Sequence, residues 1–162
     1  RGHAAALRQG RVTGGAVKVL GIGATGLLAG RLLGRASATD LLVRGAVVAG
    51  SANLVNLLDL RPGRALKAGS AAALALGQPG PAAAALALLP EDLGEQTMIG
   101  DAGANALGAV LGLALLDRHP ARARSVLAGL VVLTAASEVV SYSRVIDAVP
   151  PLRWVDRLGR RA

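Results

Sequence analysis

The stretch LLVRGAVVAGSANLVNLL, residues 41–58, is an apolar run broken only by the charge of Arg44 near its start. A run of this length is close to what a helix needs to cross a bilayer. Asn53, Asn56 and Asp59 stand at positions i, i+3 and i+6, which places three polar side chains on one helix face. The stretch therefore predicts a membrane helix with a polar group at one end.

Further apolar runs lie on both sides of this one, at residues 16–34, 65–76, 81–89, 102–116 and 125–140. The two runs of 65–76 and 81–89 are short and predict thin spans or re-entrant segments. We predict an all-α fold, a polytopic membrane helix bundle with about six membrane segments. Residues 1–142 form part of the membrane-embedded domain. Residues 143–162 form a basic amphipathic C-terminal tail at the membrane surface, divided by Pro150 and Pro151.

The composition agrees with a membrane bundle. Apolar residues make up 52% of the chain and charged residues 17%, and small residues allow helices to approach closely. The net charge of +8 is spread between apolar runs, and the only aromatic residues are Tyr142 and Trp154. A nucleic-acid partner is therefore not expected, because there are no aromatics on which bases would stack. The absence of cysteine excludes disulfides and thiolate metal sites.

The basic residues predict an orientation. If all six runs cross the membrane, 12 of the 18 Lys and Arg residues fall on the side of residues 59–64, 91–101 and the tail. The positive-inside rule then places this side in the cytosol. We therefore expect a multi-pass membrane protein with both polar loops in the cytosol and with membrane lipids as neighbours.

The acidic residues on that side are candidates for chemistry. Asp59 ends one apolar run, and Asp101 begins another after the cluster Glu91, Asp92 and Glu95. Carboxylates at this position are suitable ligands for Mg²⁺. The alternative is that Asp101 only caps a helix, as Asp often does. Elsewhere, an acid inside an apolar run, Glu138, is a further functional candidate.

Two other sequence patterns are weaker evidence for a binding site. Gly21-Ile22-Gly23-Ala24-Thr25-Gly26 matches the dinucleotide-binding fingerprint, with Asp40 at a suitable distance. The fingerprint requires a preceding strand and a parallel sheet, whereas helical runs follow here. We therefore predict that these glycines serve helix packing. The histidines His3 and His119 fall on opposite predicted sides, so a two-histidine metal site is not expected.

Two segments resemble a known family. Residues 51–59, SANLVNLLD, resemble the Asn-x-x-Asn-x-x-Asp-Gly-x-Asp-Gly segment of the polyprenyl-phosphate phospho-N-acetylhexosamine transferases, which include the phospho-N-acetylmuramoyl-pentapeptide transferase. Residues 98–108, MIGDAGANALG, resemble the Phe-Met-Gly-Asp-x-Gly segment of the same family. The resemblance spans most of the chain, and residues 1–18 look like the stretch that follows the family's Asp-Asp motif. That motif is absent, so we expect an N-terminal truncation.

The resemblance implies an integral membrane enzyme of the bacterial plasma membrane that uses Mg²⁺. Such enzymes transfer a phospho-N-acetylhexosamine from a UDP-sugar to a polyprenyl phosphate during cell-envelope and peptidoglycan synthesis. By this resemblance, Asp101 matches the Mg²⁺-binding Asp, and Asp59 joins it as a catalytic residue. The expected substrate-binding residues are Asn53, Asn56, Arg61, Arg64, Lys18 and Asn105, of which Arg61 and Arg64 would clamp the diphosphate.

The chain also departs from the family pattern. Pro62 stands where the second Asp of the first motif is expected, and Leu60 replaces the glycine after Asp59. Met98 replaces an aromatic residue, and a His-rich loop is not visible near the C-terminus. These departures leave two interpretations, a divergent transferase and a non-catalytic pseudo-enzyme that binds a lipid carrier or an envelope-assembly partner.

Overall fold

The computed structural model describes the backbone of residues 14–160 and the side chains of residues 21–160. This part of the chain is all-α, as predicted, with eight α-helices and no strand. The helices are α1 (Gly14–Leu32), α2 (Ala38–Leu58), α3 (Arg64–Ala75), α4 (Pro79–Leu93), α5 (Gly100–Arg118), α6 (Ala123–Val139), α7 (Tyr142–Ala148) and α8 (Pro150–Arg157). A short 3-10 helix, Pro120–Arg122, leads into α6.

Each of the six apolar runs forms most of one helix, and local signals define the helix ends. Ser37 caps α2, because its Oγ accepts a hydrogen bond from the N–H of Asp40 at 3.1 Å. Gly77, with φ +64°, turns the chain between α3 and α4. Pro79 and Pro150 begin α4 and α8, where the missing N–H does not interrupt a helix. The tail is therefore two helices, as the proline pair predicted.

Helix α2 lies at the centre of the bundle, where it packs against α1, α5 and α6. Glycines bring the neighbouring backbones close. A Cβ atom on Gly26 would lie 2.6 Å from the carbonyl oxygen of Gly45, and one on Gly108 would lie 2.6 Å from the Cα atom of Ala52. Gly112, one turn after Gly108, also lies close to the backbone of α2. These contacts leave no space for a side chain, as at small-residue crossings of membrane helices.

Two apolar clusters accompany these backbone contacts. The first joins α2, α3, α4 and α5 and consists of Val55, Ala65, Ala73, Ala82, Ala104 and Leu111. The second joins α2, α5 and α6 and consists of Val47, Val48, Leu116 and Leu130. Four members of the first cluster are alanines, so these helices approach closely with little side-chain volume between them.

Successive helices of the bundle alternate in direction, so that their loops gather at two ends. At one end, Arg124 forms an ion pair with Asp40 at 2.8 Å, and Arg118 donates to the carbonyl oxygen of Leu76. The other end carries residues 59–63, residues 92–101 and the helices α7 and α8. We call it the motif end. The two motif loops therefore lie on the same side of the bundle, as the sequence predicted.

The predicted number of about six membrane segments is wrong for the described residues. Within the part of the chain that the structure describes, only α2 is long and apolar enough to cross a bilayer. A second candidate arises if Pro120–Val139 and α7, bent by 90°, form one broken span. Helices α3 and α4 have 12 and 15 residues. They reach about 18 and 22 Å at 1.5 Å per residue, whereas a hydrocarbon core is about 30 Å thick. Helix α5 has 19 residues but carries polar residues at both ends.

The glycine-rich segment 21–26 lies inside α1, and no strand precedes it in the described residues. The arrangement that binds a dinucleotide is therefore not formed by this part of the chain. Gly26 packs against α2, as predicted. The packing prediction was wrong for Gly21 and Gly23, because a Cβ atom on either would meet open space. Gly21 instead lines a cavity of about 350 Å³ between α1, α2 and α5.

The contact between α5 and α2 can be tested with two Gly→Ala substitutions. Gly108→Ala should lower the free energy of unfolding by about 1–3 kcal/mol, because the methyl group forces two backbones apart. Gly129→Ala in α6 is the control, since its Cβ atom meets open space. The control should instead gain about 0.5–1 kcal/mol from the higher helix propensity of alanine. Denaturant unfolding in detergent micelles measures both, and equal stabilities would contradict the proposed contact.

Candidate functional site

The motif end brings the C-terminus of α2 and the N-terminus of α5 into contact. Asp59 follows the last residue of α2, and its N–H donates to the carbonyl oxygen of Asn56 at 3.1 Å. The carboxylate of Asp59 accepts a hydrogen bond from the backbone N–H of Gly100, the first residue of α5. Gly100 has φ +63°, a conformation that favours glycine. The two segments that resemble the family motifs are thus joined by a hydrogen bond.

Three carboxylates interact at this junction. Burial raises the pKa of Asp59 above its ordinary value, and the negative charge of Asp92 raises it further. The hydrogen bond from Gly100 lowers the pKa in part, whereas the charge of Asp101 raises it again. Asp101 itself is exposed on the first turn of α5. The junction therefore concentrates negative charge, which favours binding of a cation or a proton.

Asp92, which the sequence analysis named only as a member of an acidic cluster, is buried at this junction. It lies in the last turn of α4 and is only 3% exposed. Its Oδ2 atom accepts a hydrogen bond from the N–H of Gly63 at 2.5 Å, and its Oδ1 atom has no hydrogen-bond partner among the described residues. One signal was present in the sequence. The helix dipole disfavours a negative charge near the C-terminus of a helix, so an acid there is unusual.

The predicted asparagines point in different directions. Asn53 donates to the Oγ1 atom of Thr134 in α6 at 3.5 Å, away from Asp59. Asn56 is half-buried, one turn before Asp59. Asn105 donates to the carbonyl oxygen of Asp101 at 2.6 Å and lines the cavity between α1, α2 and α5. Its Oδ1 atom is buried without a partner among the described residues.

Arg61 lies at the motif end and is partly exposed. Its Nη2 atom is 3.4 Å from the Oδ2 atom of Asp147 in α7, and both side chains are more than a third exposed. An ion pair this exposed contributes little to stability, so the guanidinium can exchange its partner at low cost. Arg61 thus remains suited to binding a phosphate group.

Arg64 lies in a different environment. It is 4% exposed and forms two hydrogen bonds with Asp156 of α8, at 2.6 and 3.1 Å. It also donates to the Oγ atom of Ser143 at 3.1 Å. One turn later, Lys67 donates to the carbonyl oxygens of Val155, Asp156 and Leu158 at the end of α8. The structure therefore uses Arg64 and Lys67 to hold the C-terminal helices, and it does not bring Arg64 to Asp59.

The charge of Asp156 is strongly compensated. Burial alone would raise its pKa, but the hydrogen bonds and charge of Arg64 outweigh this effect. The charges of Arg160 and Lys67 add to the stabilisation, so the pKa of Asp156 lies below its ordinary value. Arg160 is 2.9 Å from the same carboxylate. Asp156 is thus an ionised partner that fixes α8 to α3.

Two acids at the motif end are the residues that could hold a Mg²⁺ ion together with a phosphate and water. Within the described residues, no three His, Cys, Asp or Glu side chains form a group that could hold a metal on their own. Mg²⁺ usually keeps several waters and needs only one or two carboxylates besides a phosphate. Asp59 and Asp101 are the two carboxylates that could do so, because the charge of Asp101 acts on Asp59. The Oδ1 atom of Asp92 is enclosed by the protein. The side chain of Lys18 lies outside the described residues.

Comparisons of the chain with protein-family models, with curated proteins and with solved structures found no match. The likeness to the transferase family thus rests on the two motif segments, and the family assignment stays a prediction.

The buried pair of Arg64 and Asp156 predicts a pH-dependent stability. Arg64→Met should lower the free energy of unfolding at neutral pH by about 3–5 kcal/mol, because it leaves a carboxylate buried without its main partner. The stabilisation from Asp156 is present above the unfolded carboxyl pKa of about 4. It is lost as the pH falls through the lower pKa of the folded state. The difference in the free energy of unfolding between the wild type and Arg64→Met should therefore become smaller at acidic pH.

Unfolding of both proteins in detergent across this pH range measures the difference. Arg153→Met, at an exposed position of α8, is the matched control and should change stability by less than about 0.5 kcal/mol. If Arg64→Met loses the same stability at every pH down to the most acidic, the ion pair with Asp156 is not the cause of the loss.

Proposed function

We propose that the chain is part of a membrane-embedded phospho-sugar transferase of cell-envelope assembly. It would move a phospho-N-acetylhexosamine from a UDP-sugar to a polyprenyl phosphate. One observation carries the proposal beyond the resemblance of the motifs. The carboxylate of Asp59 in the first motif accepts a hydrogen bond from Gly100 in the second, so both motifs contribute to one acidic site.

The reaction requires alignment and charge neutralisation. An oxygen of the polyprenyl phosphate forms a bond to the phosphorus that bears the sugar, the bond from this phosphorus to the bridging oxygen breaks, and UMP leaves. Phosphoryl transfer of this kind depends mainly on positioning and electrostatics. Bound Mg²⁺ would neutralise charge on the diphosphate. Asp101 and Asp59 would hold the ion, and Arg61 would exchange Asp147 for a donor phosphate.

We further propose that the bundle lies in the bacterial plasma membrane with its motif end in the cytosol. Large apolar side chains are exposed on its outer helices, including Leu28 at 71%, Leu32 at 88%, Val132 at 65% and Val139 at 82%. Exposed apolar surface of this kind is typical of a face that meets lipid. Helix α2 supplies at least one candidate span. The excess of Lys and Arg on the side of the motif loops supports the orientation.

The second candidate is a non-catalytic protein that binds a lipid carrier or an envelope-assembly partner. Two observations favour it. Pro62 replaces a carboxylate that the family motif carries, and Arg64 is bound to Asp156 instead of facing the acidic site. Such a protein would keep the fold and the apolar surface but would not need a cation at Asp101. A variant of Asp101 therefore separates the two functions.

Asp101→Asn tests the transferase. Asn keeps the shape of Asp but removes its charge. The variant should keep its unfolding temperature and lose Mg²⁺-dependent binding of a UDP-sugar by about 10- to 100-fold. Binding to the longest available form of the protein in detergent, together with release of UMP in the presence of polyprenyl phosphate, measures the effect. Equal donor affinity in both proteins would leave Asp101 with a structural role in the first turn of α5 and would favour the non-catalytic candidate.

Cysteine labelling tests the orientation, because the chain has no native cysteine. Glu95→Cys places a thiol on an exposed loop at the motif end, and Arg122→Cys places one on an exposed turn at the opposite end. A membrane-impermeant maleimide added to intact cells should label position 122, and it should label position 95 only after permeabilisation. Strong labelling of position 95 in intact cells would overturn the cytosolic placement.

A further inference from the structure

We propose that α8 lies in the headgroup layer of the bilayer at the motif end, where Trp154, Arg153 and Arg157 bind anionic phospholipids. The inference goes beyond the proposed function, because a transferase and a non-catalytic protein would use this surface alike. It rests only on the proposed placement of the bundle in a membrane. The sequence predicted that residues 143–162 lie at the membrane surface, and the structure adds which helix and which residues would bind there.

Helix α8 is held to the protein through Asp156. This residue is 4% exposed and accepts two hydrogen bonds from Arg64. Lys67 donates to three backbone carbonyl oxygens at the end of the helix. These contacts fix the rotation of α8 about its own axis, so the directions in which its other side chains face are fixed as well.

The side of α8 that faces away from Asp156 carries Trp154. Trp154 lies two residues before Asp156, which is about 200° around a helix with 3.6 residues per turn. It is 67% exposed, and three further apolar residues of this segment are about half exposed, namely Leu152, Val155 and Leu158. An exposed indole, which is apolar but carries one N–H donor, is typical of the boundary between lipid and water.

Two arginines border this apolar surface. Arg157 follows Trp154 by three residues and Arg153 by four, so it is a neighbour of both on the helix surface. Both arginines are exposed, and neither has an ion-pair partner among the described residues. A guanidinium binds a phosphate with two parallel hydrogen bonds. An apolar ring next to two such groups matches a bilayer whose surface carries anionic phosphates.

The position of α8 in the bundle agrees with this depth. Leu58, the last residue of α2, lines a cavity of about 230 Å³ together with Leu152 and Val155 of α8. Helix α2 is the unbroken candidate span of the described residues. The ends of a spanning helix lie near the headgroup layers. Helix α8 therefore lies beside the level at which α2 leaves the hydrocarbon core.

A second copy of the chain is a less suitable occupant of this face. In a symmetric dimer, the same surface of each copy forms the contact. Arg153 and Arg157 of both copies would then lie together, and like charges that face each other oppose association. A bilayer with anionic headgroups instead offers the opposite charge.

Fluorescence of Trp154 tests the inference directly, because this residue is the only tryptophan of the chain. The chain is reconstituted into nanodiscs of phosphatidylcholine and phosphatidylglycerol, in which the acyl chains of one lipid at a time carry bromine near the headgroup. Bromine quenches an indole that it contacts. At equal fractions of the two lipids, brominated phosphatidylglycerol should quench Trp154 at least about twofold more than brominated phosphatidylcholine, because each arginine favours an anionic surface.

Arg153→Gln combined with Arg157→Gln removes both guanidinium groups and leaves the contacts of Asp156 in place. Quenching by the two lipids should then become equal. Arg35→Gln combined with Arg122→Gln is the matched control, since both residues are exposed at the opposite end of the bundle and the variant loses the same charge. The control should keep the preference for phosphatidylglycerol. Both variants should unfold in detergent at the wild-type temperature, which excludes a loss of structure as the cause.

The outcomes separate this inference from the proposed membrane placement. If the chain is retained in nanodiscs but Trp154 is quenched equally by both lipids, or only by aqueous acrylamide, the inference falls and the placement stands. If neither lipid nor acrylamide reaches Trp154, another protein surface covers it and the inference also falls. A control variant that loses the preference as well would assign the effect to net charge and would overturn the role of α8. If the chain is not retained in nanodiscs, both the inference and the placement fall.

Discussion

The backbone contact between α2 and α5 is the constraint on which the geometry of the motif end depends. Gly108 lies against Ala52, which fixes the two antiparallel helices at the same height. Asp59 follows Ala52 by seven residues, and Gly100 precedes Gly108 by eight. At 1.5 Å per residue, Asp59 and Gly100 each lie about 10–12 Å from this contact, at the same end of the bundle. The carboxylate of Asp59 consequently meets the N–H of Gly100, and the two motif segments become neighbours.

The charges at the motif end are divided between two tasks. The charges of Asp92 and Asp101 act on Asp59, whereas the bases Arg64 and Lys67 hold α8. The negative charge of the acidic group is therefore not neutralised by Arg64 or Lys67. This separation makes the junction attractive to an external cation, and it leaves the more exposed Arg61 as the basic group that a phosphate can reach.

The sequence predicted the secondary structure well, because apolar runs bounded by glycine, proline and serine are local signals. It did not predict the number of spans, since α3 and α4 are apolar but too short for a bilayer. The proximity of Asp59 and Asp101 was also predictable from two motifs on the same side.

The partners of Arg64 and Asn53 were not predictable from sequence. They lie 92 and 81 residues away, at Asp156 and Thr134, and depend on how the helices pack. The burial of Asp92 has the same origin, because it arises from the approach of α4 to the loop around Gly63. Local patterns therefore located the acidic junction but not the residues that surround it.

The long separation of Arg64 and Asp156 has a consequence for biosynthesis. The first turn of α3 leaves the ribosome well before α8 exists, and its guanidinium then has no carboxylate to accompany it into the bundle. A charged group that ends 4% exposed cannot be dehydrated early without a large penalty. The nascent chain must therefore keep this turn in contact with water until α8 has been made, so that a later helix allows an earlier helix to dock.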